Sequence, residues 1–173
     1  MKEKLQEYAL LAEVISAIAI LISLTFVGLE IRDSNTLAAS ESLKDATQIW
    51  VTEYKINFGT EESSAFMRKA LNNYNELTSD EKGRFLASML GFIAAFDNVY
   101  NKYESGLLRE DVFKSIALGF YGIATMPGAQ QFFENTSPLL FPPYVLNYSK
   151  KGVFAEEGEA VERYYQNLLS LKL

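Results

Sequence analysis

Cysteine and histidine are both absent from the 173 residues of this chain. Without cysteine no disulfide can form, and zinc sites built on cysteine or histidine are excluded. Without histidine, Ser-His-Asp and Cys-His nucleophile systems are excluded, as is any histidine acid-base or pH-switch role. Any catalytic chemistry must therefore use Asp, Glu, Lys, Tyr, Ser and Thr side chains.

Basic residues are not in excess over acidic residues in this chain. The chain has 16 Lys and Arg against 22 Asp and Glu, and the part that follows Ile31 has 14 basic and 18 acidic residues. Nucleic-acid binding and broad docking on anionic lipid both need a basic surface. The composition therefore argues against nucleic acid as a partner.

Charge of either sign is absent from residues 14–29, VISAIAILISLTFVGL. Extended back to Tyr8, this run gives ~33 Å of helix, enough to span a hydrocarbon core of ~30 Å. Few helices of soluble proteins are apolar on every face over four turns, which disfavours a buried core helix. The preceding MKEKLQE has no net basic charge, and no small-residue cleavage site follows. Residues 1–33 are therefore predicted to be an uncleaved, single-pass membrane anchor.

Glu13 is the one charged residue inside the extended run. An acidic side chain at membrane depth is by default a candidate functional residue. Because Glu13 lies about one turn from Tyr8, it is also placed to reach the headgroup region. A third interpretation is packing against a partner helix, since the small residues Ser16, Ala19 and Ser23 allow close approach.

The remainder, residues 34–173, is predicted to form an all-α domain, an irregular bundle of about five helices. Apolar residues recur at helical spacing, and no strand-type alternation is found. The first helix is expected to begin after Ser34 or Asn35, or to continue the anchor with a kink, and to end near Gly59. Thr78 and Glu81 form a capping box that opens the longest helix.

Two later segments carry specific expectations. Residues 136–144 contain three prolines and are predicted to be mostly irregular, as either a rigid connection or a docking loop. A final helix is expected over residues 157–171. The residues predicted to share its inward face are Val161, Tyr164, Leu168 and Leu171.

The densest polar and aromatic cluster, residues 96–104, supplies the candidate site. Four of its residues fall on one helical stripe at spacings i, i+3, i+4 and i+7. They are Asp97, Tyr100, Asn101 and Glu104. Two carboxylates on one face suit Mg²⁺ or Ca²⁺ binding or an acid-base pair, with further ligands from Glu53, Glu110 or Asp111. The competing interpretation is a partly buried polar network that fixes helix packing.

The run LAEVISAIAILISLTFVGLEIRDSNTLAAS, residues 11–40, resembles the amino-terminal signature of an uncharacterised bacterial family of short single-pass membrane proteins with a helical domain. Residues 96–100, 104–108 and 127–133 are similar to later parts of the same family. The resemblance implies fold and membrane location, but no activity and no catalytic residue. Basic residues after the position of Arg32 imply a cytoplasmic domain in such relatives. This chain has Asp33 there, and its flanking charges discriminate little between the two sides.

With no recognisable catalytic set, the sequence predicts a membrane-tethered, non-catalytic interaction or scaffold module with no cofactor. Its partner is expected to be a protein or a second copy of the chain. The alternative is a carboxylate-based domain that binds a divalent metal or a small ligand, including a hydrolytic one, through Asp97, Tyr100 and Glu104. A third hypothesis is a subunit of a larger membrane complex that packs through Glu13.

Overall fold

The computed structural model describes the backbone of residues 2–170, and the side chains of that range except those of residues 2–5, 7, 9, 155–156 and 168–170. This part of the chain contains seven α-helices, two short 3-10 helices and no strand. The helices are α1 (Lys2–Phe58), α2 (Glu61–Asn72), α3 (Ser79–Glu104), α4 (Glu110–Ala124), α5 (Pro127–Asn135), α6 (Pro143–Tyr148) and α7 (Ala155–Ser170), and the 3-10 helices are Tyr74–Glu76 and Pro138–Leu140. The predicted all-α fold is confirmed.

Helix α1 is uninterrupted over 57 residues, so the predicted helix start after Ser34 or Asn35 is wrong, and the alternative prediction, that this helix continues the anchor, is confirmed. No glycine or proline occurs between Gly28 and Gly59, and nothing in that stretch breaks the helical hydrogen bonding. The Thr36 hydroxyl instead bonds the carbonyl of Arg32 at 2.9 Å, one turn back in the same helix. The chain divides into two compact units, residues 1–41 and residues 42–173, and the predicted boundary after residue 33 falls within the first.

The apolar part of α1 is long enough to cross a membrane by length and composition. Its most apolar 18-residue window has a mean hydropathy of 2.4, and none of that window is buried inside the protein. Within this first unit the hydroxyls of Ser16 and Ser23 bond the carbonyls of Ala12 and Ala19, each at 2.8 Å. These polar groups are therefore satisfied within the helix itself.

The two helices that follow α1, α2 and α3, each begin at a threonine cap. The Thr60 hydroxyl accepts a hydrogen bond from the Ser63 backbone N–H at 3.1 Å, at the start of α2. At the start of α3, Thr78 accepts from the Glu81 N–H at 3.3 Å, and the Glu81 carboxylate accepts from the Thr78 N–H at 2.9 Å. This reciprocal pair confirms the capping box predicted at Thr78.

The second unit is built around an aromatic core. Phe96 of α3 stacks on Phe120 of α4 with ring centroids 4.4 Å apart, and both are fully buried. Trp50 of α1 meets Phe92 of α3 edge to face at 5.8 Å. The helical spacing of apolar residues predicts an inward face for α3. Five of its residues are buried, Phe85, Met89, Phe92, Ile93 and Phe96, and the other two, Tyr100 and Tyr103, are half-buried.

Helix α7 packs on α4 through a face that differs from the predicted one. Tyr164 is 61% exposed, whereas the neighbouring Tyr165 packs inward and its hydroxyl is hydrogen-bonded to that of Tyr54. Gly122 of α4 makes this possible, because a Cβ there would collide with Tyr165 and Val161. Two more predicted inward positions, Leu168 and Leu171, lie outside the described side chains.

The proline-rich segment is more regular than predicted. Pro143 occupies the first turn of α6, where its missing N–H costs no hydrogen bond and its fixed φ suits a helix. Residues 138–140 form a 3-10 turn that leaves Leu139 95% exposed. The prediction of an irregular segment therefore failed at its end, because Pro142-Pro143 starts a helix there.

Candidate functional site

The predicted stripe on α3 meets a partner that the sequence did not identify. Asp97 is half-buried, and its carboxylate accepts a hydrogen bond from the Tyr144 hydroxyl of α6. The Tyr144 ring stacks on Tyr100 at 3.9 Å with an interplanar angle of 4°. Asp97 and Tyr100 are thus joined by one tyrosine side chain, and the three residues tie α6 to α3.

The rest of the stripe faces solvent. Asn101 and Glu104 are exposed. The Asn101 carbonyl accepts hydrogen bonds from the backbone and hydroxyl of Ser105, which end α3. Desolvation raises the pKa of the Tyr100 phenol, and the nearby Glu104 carboxylate adds to the effect. This arrangement matches a packing network more closely than a metal site.

The carboxylates expected to complete a metal site are placed elsewhere or are already paired. Glu110 and Asp111 are exposed at the start of α4, and the Arg109 guanidinium lowers the pKa of the Asp111 carboxyl through a hydrogen-bonded ion pair. Glu13 is exposed on α1. In the part of the chain that the structure describes, no group of three or more Asp, Glu, His or Cys side chains is placed to share a metal ion.

A groove of about 380 Å³ lies between α1, α2 and α3 in the second unit. Its volume falls in the ~300–1,000 Å³ range typical of small-ligand sites. It combines apolar walls with hydrogen-bonding groups. Among the residues that line it are Glu53, Ile56, Asn57, Phe66, Met67 and Ser88.

Glu53 is the acidic group of this groove. Its carboxylate lies against Gly91 of α3, where the Cβ of any other residue would overlap a carboxylate oxygen. No described lysine or arginine lies within ion-pair distance of it, and burial raises the pKa of the Glu53 carboxyl. A partly desolvated carboxylate without a counterion is unfavourable for folding, which is a feature of binding sites more often than of packing.

The opposite side of the groove carries a positive charge that is already engaged. The Arg84 guanidinium lies 4.3 Å from the centre of the Phe66 ring and bonds the Glu62 carboxylate at 3.1 Å. Both partners of this ion pair are largely exposed, so it is weak. Its effect on the groove is to cover one face of Phe66.

Sequence reasoning missed the groove and the Tyr144 contact for different reasons. Pro142-Pro143 was a usable indication of α6, and hence of an ordered Tyr144. Nothing local marks Glu53 as unpaired, since its environment comes from α2 and α3, which are distant in sequence. Glu53 was considered only as a second carboxylate for Asp97, not as the centre of its own site.

Comparison of the chain with protein-family models, with curated proteins and with solved structures found no match. The family resemblance drawn from residues 11–40 therefore stays a prediction. Function has to be argued from the geometry of the helices and the groove.

Proposed function

We propose that this chain is a single-pass, membrane-tethered, non-catalytic interaction module. One observation carries the proposal: α1 contains an apolar stretch long enough to cross a membrane, and none of its most apolar 18-residue window is buried. Leu21 is 64% exposed and Phe26 is 69% exposed, and side chains of this kind surround the helix over several turns. Apolar surface costs about 25 cal/mol per Å² in water and nothing comparable in hydrocarbon, so a bilayer is the environment that suits this helix.

The proposal that the module is non-catalytic is supported by the contacts that the candidate site residues already make within the protein. Asp97 and Tyr100 are engaged by Tyr144, and Asp111 is paired with Arg109. The second unit has its own aromatic core and so forms a folded domain. Tethering raises the local concentration of such a domain, so a partner of modest affinity suffices.

Membrane insertion is tested on the full chain by vesicle flotation followed by alkaline carbonate extraction. The wild-type chain should float and resist extraction, whereas Leu21→Arg with Leu24→Arg should release it, because a charged side chain at the bilayer centre costs about 3 kcal/mol. Leu86→Arg is the matched control, since Leu86 is an exposed leucine of α3. Wild-type protein that carbonate extracts would refute the anchor.

The interaction role is tested by cross-linking the full chain in its native membrane. A recurrent protein partner or a second copy of the chain should appear, and repeated absence of both would count against the proposal. We also propose that the domain lies on the cytoplasmic side of the membrane. This is tested with a single introduced cysteine, Ser105→Cys, at an exposed position of a chain that has no cysteine. A membrane-impermeant maleimide should label it only after the cells are opened.

A further inference from the structure

We propose that the groove between α1, α2 and α3 binds a lysine side chain of the partner protein, with the lysine ammonium on the Glu53 carboxylate. This inference rests on the proposed function, because it names the chemistry by which the tethered domain recognises its partner. It goes further in assigning a site and a residue type to that recognition.

The unpaired Glu53 carboxylate supports a cationic occupant. The described lining of the groove has one acidic side chain, Glu53, and one basic side chain, Arg84. Arg84 is paired with Glu62 at 3.1 Å, whereas no described cation pairs with Glu53. Hydrogen bonds to Glu53 from the rest of the described chain go to its backbone carbonyl, which accepts from the Asn57 side-chain amide at 2.9 Å. The carboxylate therefore keeps its full capacity for an incoming ammonium, and pairing offsets the cost of its partial desolvation.

The presence of only one carboxylate among the described lining residues argues against a divalent metal ion as the occupant of the groove. Ca²⁺ takes six to eight oxygen ligands, and Mg²⁺ is held through carboxylates together with water or phosphate. Among the described lining residues the other side-chain oxygens come from Asn57, Ser63 and Ser88. The Ser63 hydroxyl already accepts a hydrogen bond from the Thr60 N–H at 3.1 Å. An ammonium needs only three acceptors, which the Glu53 carboxylate and the Asn57 and Ser88 side-chain oxygens can supply.

The walls of the groove suit the alkyl stem of a lysine. Ile56 of α1 is 63% exposed and supplies aliphatic surface, Met67 of α2 is fully buried in the groove wall, and Ala87 and Gly91 of α3 keep that side shallow. Long basic side chains commonly lay their methylene groups along such surface while the charged end reaches a polar group. The close approach of Glu53 to Gly91 places the carboxylate against α3.

Arginine fits less well than lysine at this position. A guanidinium gains most from stacking on an aromatic face and from two parallel bonds to a carboxylate. The aromatic ring of the groove, Phe66, already has the Arg84 guanidinium 4.3 Å from its centre, so an incoming guanidinium cannot stack on that face. A compact ammonium on a flexible stem avoids the occupied ring.

The test uses methyl NMR of the full chain in detergent micelles, with labelled methionine methyl groups. The chain has four methionines, so the spectrum is simple. Met67, Met89 and Met126 are all fully buried, but of the three only Met67 is among the described lining residues of the groove, so Met89 and Met126 serve as internal references. The probes are Nα-acetyl-lysine-N-methylamide, its norleucine and arginine counterparts, and n-butylammonium, each titrated at constant ionic strength.

The blocked lysine should shift the Met67 methyl signal saturably and leave Met89 and Met126 unchanged. Glu53→Gln should weaken this binding by about tenfold or more, the factor that one charge-assisted contact typically carries. Glu134→Gln is the matched control, because it removes one exposed carboxylate that no described residue pairs. Gly91→Ala should also weaken binding, since the added Cβ displaces the Glu53 carboxylate while its charge is kept.

Four outcomes would overturn the inference. They are an equal shift by the norleucine probe, unchanged lysine binding in Glu53→Gln, equal or tighter binding of the arginine probe, and binding of n-butylammonium with exclusion of the blocked lysine. The last would identify a site for free amines. Flotation and cross-linking are independent of these titrations, so failure of the lysine site leaves the tethered module standing. Failure of flotation refutes the membrane assignment whatever the groove binds.

Discussion

Removal of the Tyr144 hydroxyl isolates the contact that joins α6 to α3. Tyr144→Phe deletes the hydrogen bond to Asp97 but retains the ring that stacks on Tyr100 at 3.9 Å. A hydrogen bond to a charged group contributes about 1.5–3 kcal/mol, and because Asp97 and Tyr144 are both half-buried we expect about 1–2 kcal/mol. For a unit of this size that loss lowers the melting temperature by roughly 3–8 °C.

Denaturant unfolding in micelles measures this loss, with the single tryptophan, Trp50, as the fluorescent probe in the aromatic core. A double-mutant cycle with Asp97→Ala should give a coupling energy of about 1 kcal/mol. Tyr164→Phe is the matched control, since Tyr164 is exposed and no described group accepts a hydrogen bond from its hydroxyl, so its effect should stay within about 0.5 kcal/mol.

Two results would refute the packing interpretation of Asp97. The first is additivity of Asp97→Ala and Tyr144→Phe, which would mean that the hydrogen bond contributes nothing to stability. The second is stabilisation of the wild-type chain by Mg²⁺ or Ca²⁺ that Asp97→Ala abolishes. That outcome would favour the carboxylate-based metal site over the packing network.

Four further substitutions test other parts of the second unit by thermal unfolding. Burial raises the pKa of the Glu53 carboxyl in the folded chain above its value in the unfolded chain, so the stability of the wild type falls as the pH rises from the unfolded pKa through the folded pKa. Glu53→Gln should therefore have a higher melting temperature than the wild type at neutral pH. This difference in melting temperature should vanish below about pH 4, where Glu53 is protonated in both states. Gly122→Ala should cost about 1–3 kcal/mol because its Cβ displaces Tyr165, whereas Gly83→Ala, with open space around it, should gain about 0.5–1 kcal/mol. Thr78→Ala should cost about 1 kcal/mol through loss of the cap of α3, and no measurable cost would contradict the capping geometry.

The features of the fold that were predictable are those with local causes. The capping box at Thr78 and the helical periodicity of α3 depend on residues within a few turns of each other. The predicted break at Ser34 and Asn35 failed because a cap residue is only permissive: without a glycine or proline to stop the preceding helix, that helix continues. Local residue preferences therefore predicted most of the helices, but they did not predict where the first unit ends and the second begins.

The face of α7 needed information from another helix. Val161 is followed at helical spacing by both Tyr164 and Tyr165, so periodicity alone allows either to be inward. The absence of a side chain at Gly122 of α4 provides space that Tyr165 fills, and the hydroxyl of Tyr54 gives it a hydrogen-bond partner. Both determinants are distant in sequence, which is why the prediction chose the wrong tyrosine.

Asp97 and Glu53 show why a candidate site is harder to predict than a helix. Both are acidic residues on amphipathic helices of the second unit, and their sequence neighbourhoods made Asp97 the stronger candidate. In the structure, Asp97 accepts a hydrogen bond from Tyr144, whereas the Glu53 carboxylate has no described partner and is partly desolvated. A satisfied carboxylate stabilises the fold, while an unsatisfied one lowers stability unless a ligand completes it. Groups that lower the stability of the fold, such as a partly buried carboxylate without a partner, are expected at functional sites. Glu53 is therefore the acidic group at which partner binding should be sought.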